Sequence, residues 1–184
     1  MTAEKKPTWV TVVAVVAIIF SSFGILGASQ QIVMPQMAEF QKKIFTTMTG
    51  EFKKEIEKQP APNDPQAQKI QQTVLELFDM IETMFDYPDW YKTWVVIAGI
   101  IGLLVNGFYL LAAIFFLQLK RKGIPLIYTA LVLSIILGIT NTVVTANALS
   151  AFALIFMSGG LIGTVIELVL LIVILTSNKE CFTH

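Results

Sequence analysis

Three stretches of this chain carry no charged side chain: Pro7 to Ala38, Thr93 to Leu119, and Gly123 to Ile166. A hydrocarbon core of about 30 Å needs roughly 20 apolar residues to be crossed as helix. The last stretch, 44 residues long, therefore holds one crossing, a turn and most of a second. The expected fold class is an all-α integral membrane protein, with four transmembrane helices and an extramembrane antiparallel helical hairpin between the first and second. Composition agrees, since only 14% of residues are charged against about a quarter in soluble domains.

The pattern divides the chain into an N-terminal segment at 1–8, spans at 9–26, 94–119, 124–144 and 151–176, and a hairpin with an aromatic interfacial segment at 27–93. A basic loop at 120–123, an outer turn at 145–150 and a tail at 177–184 complete it. Lys5 and Lys6, then Lys120, Arg121 and Lys122, then Lys179 fall on one side of an even number of spans. The positive-inside tendency puts that side, and both termini, in the cytoplasm of a cell (inner) membrane. The first span has the short basic start of a signal peptide, but its apolar run is long for one, so a retained anchor is expected. Cys181 is the single cysteine, which excludes an intramolecular disulfide.

Outside the membrane, Met34-Pro35 is expected to kink or restart the helix. Beyond it Met37, Phe40, Ile44, Met48, Phe52 and Ile56 recur at three or four residues, the mark of one apolar helical face. Gly50 is a soft point in that helix, costing about 1 kcal/mol relative to alanine. The segment QPAPNDP, residues 59–65, ends the helix, and Asp64-Pro65 starts another. There Ile70, Val74, Leu77, Ile81 and Met84 step by four and three. The two stripes are expected to bury against each other as a hairpin. Neither covers the other completely, and the remaining apolar surface, with Phe45, Phe78 and Phe85, either lies on the membrane or joins a bundle with another subunit.

Tyr87, Trp90, Tyr91 and Trp94 stand directly before the second span. Amphipathic rings gain at headgroup depth, so these are expected to be interfacial anchors. The alternative is a cage for a cation, with Asp86 or Asp89 as counter-charge.

Within the spans, small residues at four-residue spacing mark close helix packing. Ala130, Ser134, Gly138 and Thr142 form such a row, as do Ala98, Gly102 and Asn106, Ala17 and Ser21, and Gly159 and Gly163. The last row leads to Glu167, the one ionisable acid or base inside an apolar span. Charge there is costly unless neutralised or paired. Tyr109 or Ser134, at similar depth, is expected to bond it, and Asn106 is a further polar group near mid-membrane that joins them as a candidate for the lock or ion site. Glu167 is then either a structural polar lock or part of a proton or ion path. The outer polar cluster of Asn141, Thr142, Thr145, Asn147 and Ser150 reads as a turn, with Ser150 capping the fourth span. Cys181 is either a lipidation site or part of a bare tail.

Catalysis has little to build on, because His184 is the one histidine and no phosphate loop, hydrolase elbow or metal-ligand spacing occurs. No enzyme activity, cofactor, metal or nucleic-acid partner is expected. The plan of spans resembles claudin-like proteins in topology alone, since their loop carries a disulfide pair and this one has no cysteine. The preferred function is a non-enzymatic accessory or scaffold subunit. Its expected partners are the lipid bilayer and other membrane protein subunits, or further copies in a homo-oligomer. The alternatives are a small proton- or cation-coupled transporter or channel using Glu167, and a lipid-binding envelope protein.

Overall fold

The computed structural model describes residues 6–58, 64–84, 87–148 and 153–182, with side chains left undescribed at 57, 84 and 153–159. Among these residues the chain is all helix: α1 (Thr8–Lys58), α2 (Pro65–Met84), α3 (Asp89–Leu117), α4 (Gly123–Ala148) and α5 (Ala153–Thr176). Three of them, α1, α3 and α4, are long and apolar enough to cross a membrane, and α5 contributes the apolar stretch Gly160–Thr176. The turn expected at 59–63, Phe85, Asp86, Ser150 and His184 lie outside the described residues.

The first departure from expectation is α1 itself. It is one helix of 51 residues with Pro35 inside it, about 77 Å long at 1.5 Å per residue. Proline deletes a backbone hydrogen bond and crowds the preceding turn, at roughly 3 kcal/mol in a helix interior. Here that cost is met by packing on both sides of the proline. Ala28 and Ala38 are buried, Ile32 and Ala28 lie against Gly99 of α3, and Lys92 of α3 pairs with Glu39 at 3.6 Å. The helix also continues through Gly50.

Helix α3 runs antiparallel to α1, with Trp9 against Phe116 at one end and Glu39 by Lys92 at the other. Glycine makes the approach close. A Cβ on Gly99 would stand 2.8 Å from the Ala28 carbonyl oxygen and one on Gly102 3.0 Å from the Ala28 Cβ, while one on Gly24 would collide with Asn106 Oδ1. From α3 the bundle continues to α4 and then α5, while α2 touches α1.

The turn from α3 to α4 has its own logic. The Leu119 N–H reaches the Phe116 carbonyl at 3.0 Å and the Lys120 N–H reaches Phe115 at 3.3 Å, the pair of bonds that closes a Schellman motif. Leu119 takes the left-handed position at φ 58, which favours glycine. Its side chain packs against the core cluster, a contact glycine would lack.

That core lies toward the end of the bundle holding the two termini, around Tyr109, Phe116, Ile127, Leu131 and Ile174. The tail is not bare. A turn closed by the Phe182 N–H on the Lys179 carbonyl and the Glu180 N–H on Asn178 Oδ1 returns Phe182 to Trp9 and Phe116, with ring centroids 6.2 and 5.0 Å away. Burying such a ring contributes about 1.5–3 kcal/mol, enough to order a short turn.

The hairpin also differs from expectation. Helix α2 does run antiparallel along α1, but the contact is made by Phe78 against Phe45 and Phe52, by Lys53 with Asp79 and by Thr46 with Glu82. The two apolar stripes meet only in part, through Phe52 on α1 and with Val74 and Ile81 of α2 half-buried. Phe40 and Met48 remain 66% and 67% exposed and Ile70 61%. Connectivity explains this. Four residues separate the end of α2 from the start of α3, so α2 must descend on the α3 side of α1, while the Phe40 stripe lies on the opposite side.

Gly99→Val is expected to destabilise the bundle by about 1–3 kcal/mol through overpacking. At Gly27 a Cβ meets nothing within 4 Å, so Gly27→Ala leaves stability unchanged or raises it by up to about 1 kcal/mol from helix propensity. Thermal midpoints of the detergent-solubilised protein would separate the two.

Candidate functional site: the Ser134 and Glu167 seam

Helices α4 and α5 meet along a short ladder of small and hydroxyl-bearing residues. The Ser134 hydroxyl donates to Glu167 Oε1 at 2.5 Å. One turn along, the Thr164 hydroxyl oxygen lies 2.8 Å from where a Gly138 Cβ would be. A turn further, the Thr142 hydroxyl oxygen lies 3.6 Å from where a Gly160 Cβ would be. The pairs alternate in sense, hydroxyl on α4 to acid on α5, glycine to threonine, then threonine to glycine. Each hydroxyl needs a second use, and the two threonines donate to carbonyls four residues back, Thr142 to Gly138 and Thr164 to Gly160. Polar groups in an apolar layer are thereby bonded rather than left open, which would cost about 1–3 kcal/mol each.

Glu167 is 8% exposed. Across from it on α3 stands Tyr109, fully buried and close enough to interact electrostatically with the Glu167 carboxyl. Its hydroxyl makes no protein hydrogen bond, and neither does the buried hydroxyl of Tyr128. Of the two groups expected to bond Glu167, Ser134 does so and Tyr109 is a neighbour.

Asn106 is not brought to this layer. Its Nδ2 donates to the Gly102 carbonyl at 2.8 Å, and its side chain fills the space above Gly24 of α1. The amide is thus part of the α1–α3 contact, since α3 turns that face toward α1. Gly163 is also off the seam: a Cβ there would meet nothing within 4 Å. Strict four-residue steps drift around a helix with 3.6 residues per turn, so the face leading to Glu167 is Gly160, Thr164, Glu167, not Gly159, Gly163, Glu167. Gly159 belongs to α5, without described surroundings. Ala130, of the same α4 row, is fully buried.

The aromatic segment divides. Trp90 is 53% exposed, and Tyr87 and Trp94 are half-buried. Tyr91 is turned inward: 5% exposed, its hydroxyl 3.3 Å from Thr145 of α4, its ring 5.9 Å from Tyr87 and 5.8 Å from Trp90. With Met34, Pro35 and Val95 it lines a small apolar recess, so Tyr91 ties α1, α3 and α4 together at this end. A helix presents only one side to lipid, and Tyr91 shares its side with Val95 and Ala98, also buried. Burial, with Tyr91 beside it, pushes the Tyr87 phenol above its ordinary range.

No pattern in the sequence points to the part played by Gly24, Gly99 or Phe182. The i, i+4 pairs Gly138/Thr142 and Gly160/Thr164 are a legible signal for the seam, once glycine and threonine are read as partners across two helices. Among the described residues no group of three or more histidine, cysteine, aspartate or glutamate side chains is placed to hold a metal. No family model matches the chain, and no curated protein or solved structure matches it.

Ser134→Ala leaves the Glu167 carboxyl without its donor and is expected to cost about 1–3 kcal/mol. Glu167→Gln keeps an acceptor for Ser134 and is expected to cost less than about 1 kcal/mol. Unfolding of the two variants in detergent, with the double mutant to isolate the coupling, checks this.

Proposed function

We propose that this is a non-enzymatic membrane scaffold or accessory subunit that associates through the faces of its extramembrane hairpin. In this reading α1, α3, α4 and α5 each cross the bilayer, both termini lie in the cytoplasm, and the distal half of α1 with α2 stands outside. The observation that carries it is the bare apolar surface on both hairpin helices. Met37, Phe40, Ile44, Met48 and Phe52 of α1, and Ile70 and Leu77 of α2, are exposed, with Val74 and Ile81 half-buried beside them. Contiguous apolar surface outside the bilayer marks an association site. Phe40, Lys43, Ile44, Thr47 and Met48 line one open stretch of this α1 surface.

A second reading keeps Glu167 as a proton or cation carrier, favoured by its placement beside Tyr109 with one oxygen held by Ser134. A carrier of this kind loses flux in proteoliposomes on Glu167→Gln, with its assembly intact. The scaffold reading expects the same variant to retain both assembly and the activity of the complex.

The scaffold reading is tested by gentle extraction from the native membrane and measurement of particle mass. Particles larger than one chain are expected. Ile70→Asp with Leu77→Asp should release a partner bound to α2 while the spans stay inserted. A lone chain in both cases overturns the proposal.

A further inference from the structure

Helix α1 carries an apolar row with a strict seven-residue repeat. Val12, Ile19, Leu26, Val33 and Phe40 occupy every seventh position, and all are exposed, from 43% at Val33 to 66% at Phe40. Four residues after each of these come Val16, Phe23, Gln30, Met37 and Ile44. Together they form the alternating three and four spacing of a coiled-coil seam, continuous through Pro35. The repeat closes at Thr47, since Glu51 and Lys54 take the next two seam positions. From Val12 to Thr47 the seam is about 54 Å long at 1.5 Å per residue.

Lipid covers the membrane half of this row whatever its spacing, so that half alone says nothing. Phe40 and Ile44, however, lie beyond the level of the Lys92–Glu39 pair, where the chain leaves the bilayer in the reading above. Among the described residues no helix covers them, because α3 packs on the Ala14, Ala17, Ser21 and Ala28 side and α2 on the Phe45 and Phe52 side. Their phase is that of the membrane rows, which calls for one partner helix following both parts.

We infer that the occupant is a second copy of this chain, pairing α1 with α1 in parallel about a twofold axis along the membrane normal. This deepens the scaffold reading and rests on it. Two copies in one bilayer share their orientation, and a parallel, in-register copy lays a seven-residue seam against itself over its whole length. A 3.5-residue period matches left-handed supercoiling of just such a pair. Any other partner would need a helix that continues from the membrane for the same distance in the same register, and this chain supplies one by symmetry.

The flanks agree. Gln30, the single polar residue among the paired seam positions from Val12 to Ile44, meets its own copy, and two amides can exchange hydrogen bonds across the axis and set the register. Beside the seam, Gln36 lies opposite Gln41 of the copy, and Lys43 lies opposite Met48. No like charges face each other before Glu51, where the seam ends.

The test uses the full chain in its native membrane, with Cys181→Ser as background and one new cysteine per variant. Leu26→Cys, Val33→Cys and Phe40→Cys lie on the seam, while Ile25→Cys and Glu39→Cys lie on the flank away from it. All five are single side-chain changes on α1; Glu39→Cys removes the ion pair with Lys92, and the glycine contact of α1 with α3 stays in place in every variant. After copper-catalysed oxidation, a dimer band is expected at the three seam positions and its loss at the two flank positions. Bands at none, or equally at all five, overturn the pairing. If none appears while the extracted particle still holds another protein that Ile70→Asp with Leu77→Asp releases, the self-pairing fails and the scaffold reading stands. A lone, uncrosslinked chain fails both.

Discussion

The backbone of α1 at Ala28 lies against the backbone of α3 at Gly99, and the path of the rest of the chain follows from that contact. Lipid supplies little hydrophobic force between two apolar helices, so their association depends on how closely atoms pack. Glycine at 24, 99 and 102 gives that closeness, with Asn106 filling the space over Gly24. The same contact continues to Glu39 and Lys92. It thereby supports the segment around Pro35, and a proline that would otherwise break a helix sits inside one of 51 residues.

Once α3 is fixed on one side of α1, the short link from α2 to α3 brings α2 down on that side as well. The hairpin is then held by a cluster of three phenylalanines, worth about 0.5–1.5 kcal/mol per ring pair beyond the area buried, and by exposed polar pairs worth about 0–1 kcal/mol each. This is a modest hold. The opposite side of α1 stays largely exposed from Val12 to Met48, with Val16 turned partly against the core, so a structural accident of connectivity becomes the surface on which the proposed association rests.

Much of the candidate site was legible. Glu167 stood out as the one ionisable group inside an apolar run, and counting depth along antiparallel helices leads to Ser134. The rest was not, for a geometric reason. Spacing names the residues that share a helix face but not the direction of that face. Asn106 and Tyr109 are three apart on α3, yet Asn106 fills the space over Gly24 of α1 while Tyr109 is buried in the core cluster. Tyr91 shares its composition with its aromatic neighbours, yet it points to Thr145 while Trp90 points out. Gly163 and Gly160 are both small residues near Glu167, and only the pitch of the helix decides which meets α4.

The sequence by itself determined that the chain is helical, which segments are apolar enough to enter a membrane, and where its polar exceptions lie. Those follow from local chemistry: hydropathy, period and the placement of charge act within one segment. Only the tertiary structure decided that α1 is unbroken, that the hairpin stripes meet only in part, that Phe182 returns to the bundle and which side of α1 is free. Each of these depends on a contact between residues far apart in the chain, and no pattern within one segment encodes the rotation of a helix about its own axis against its neighbour.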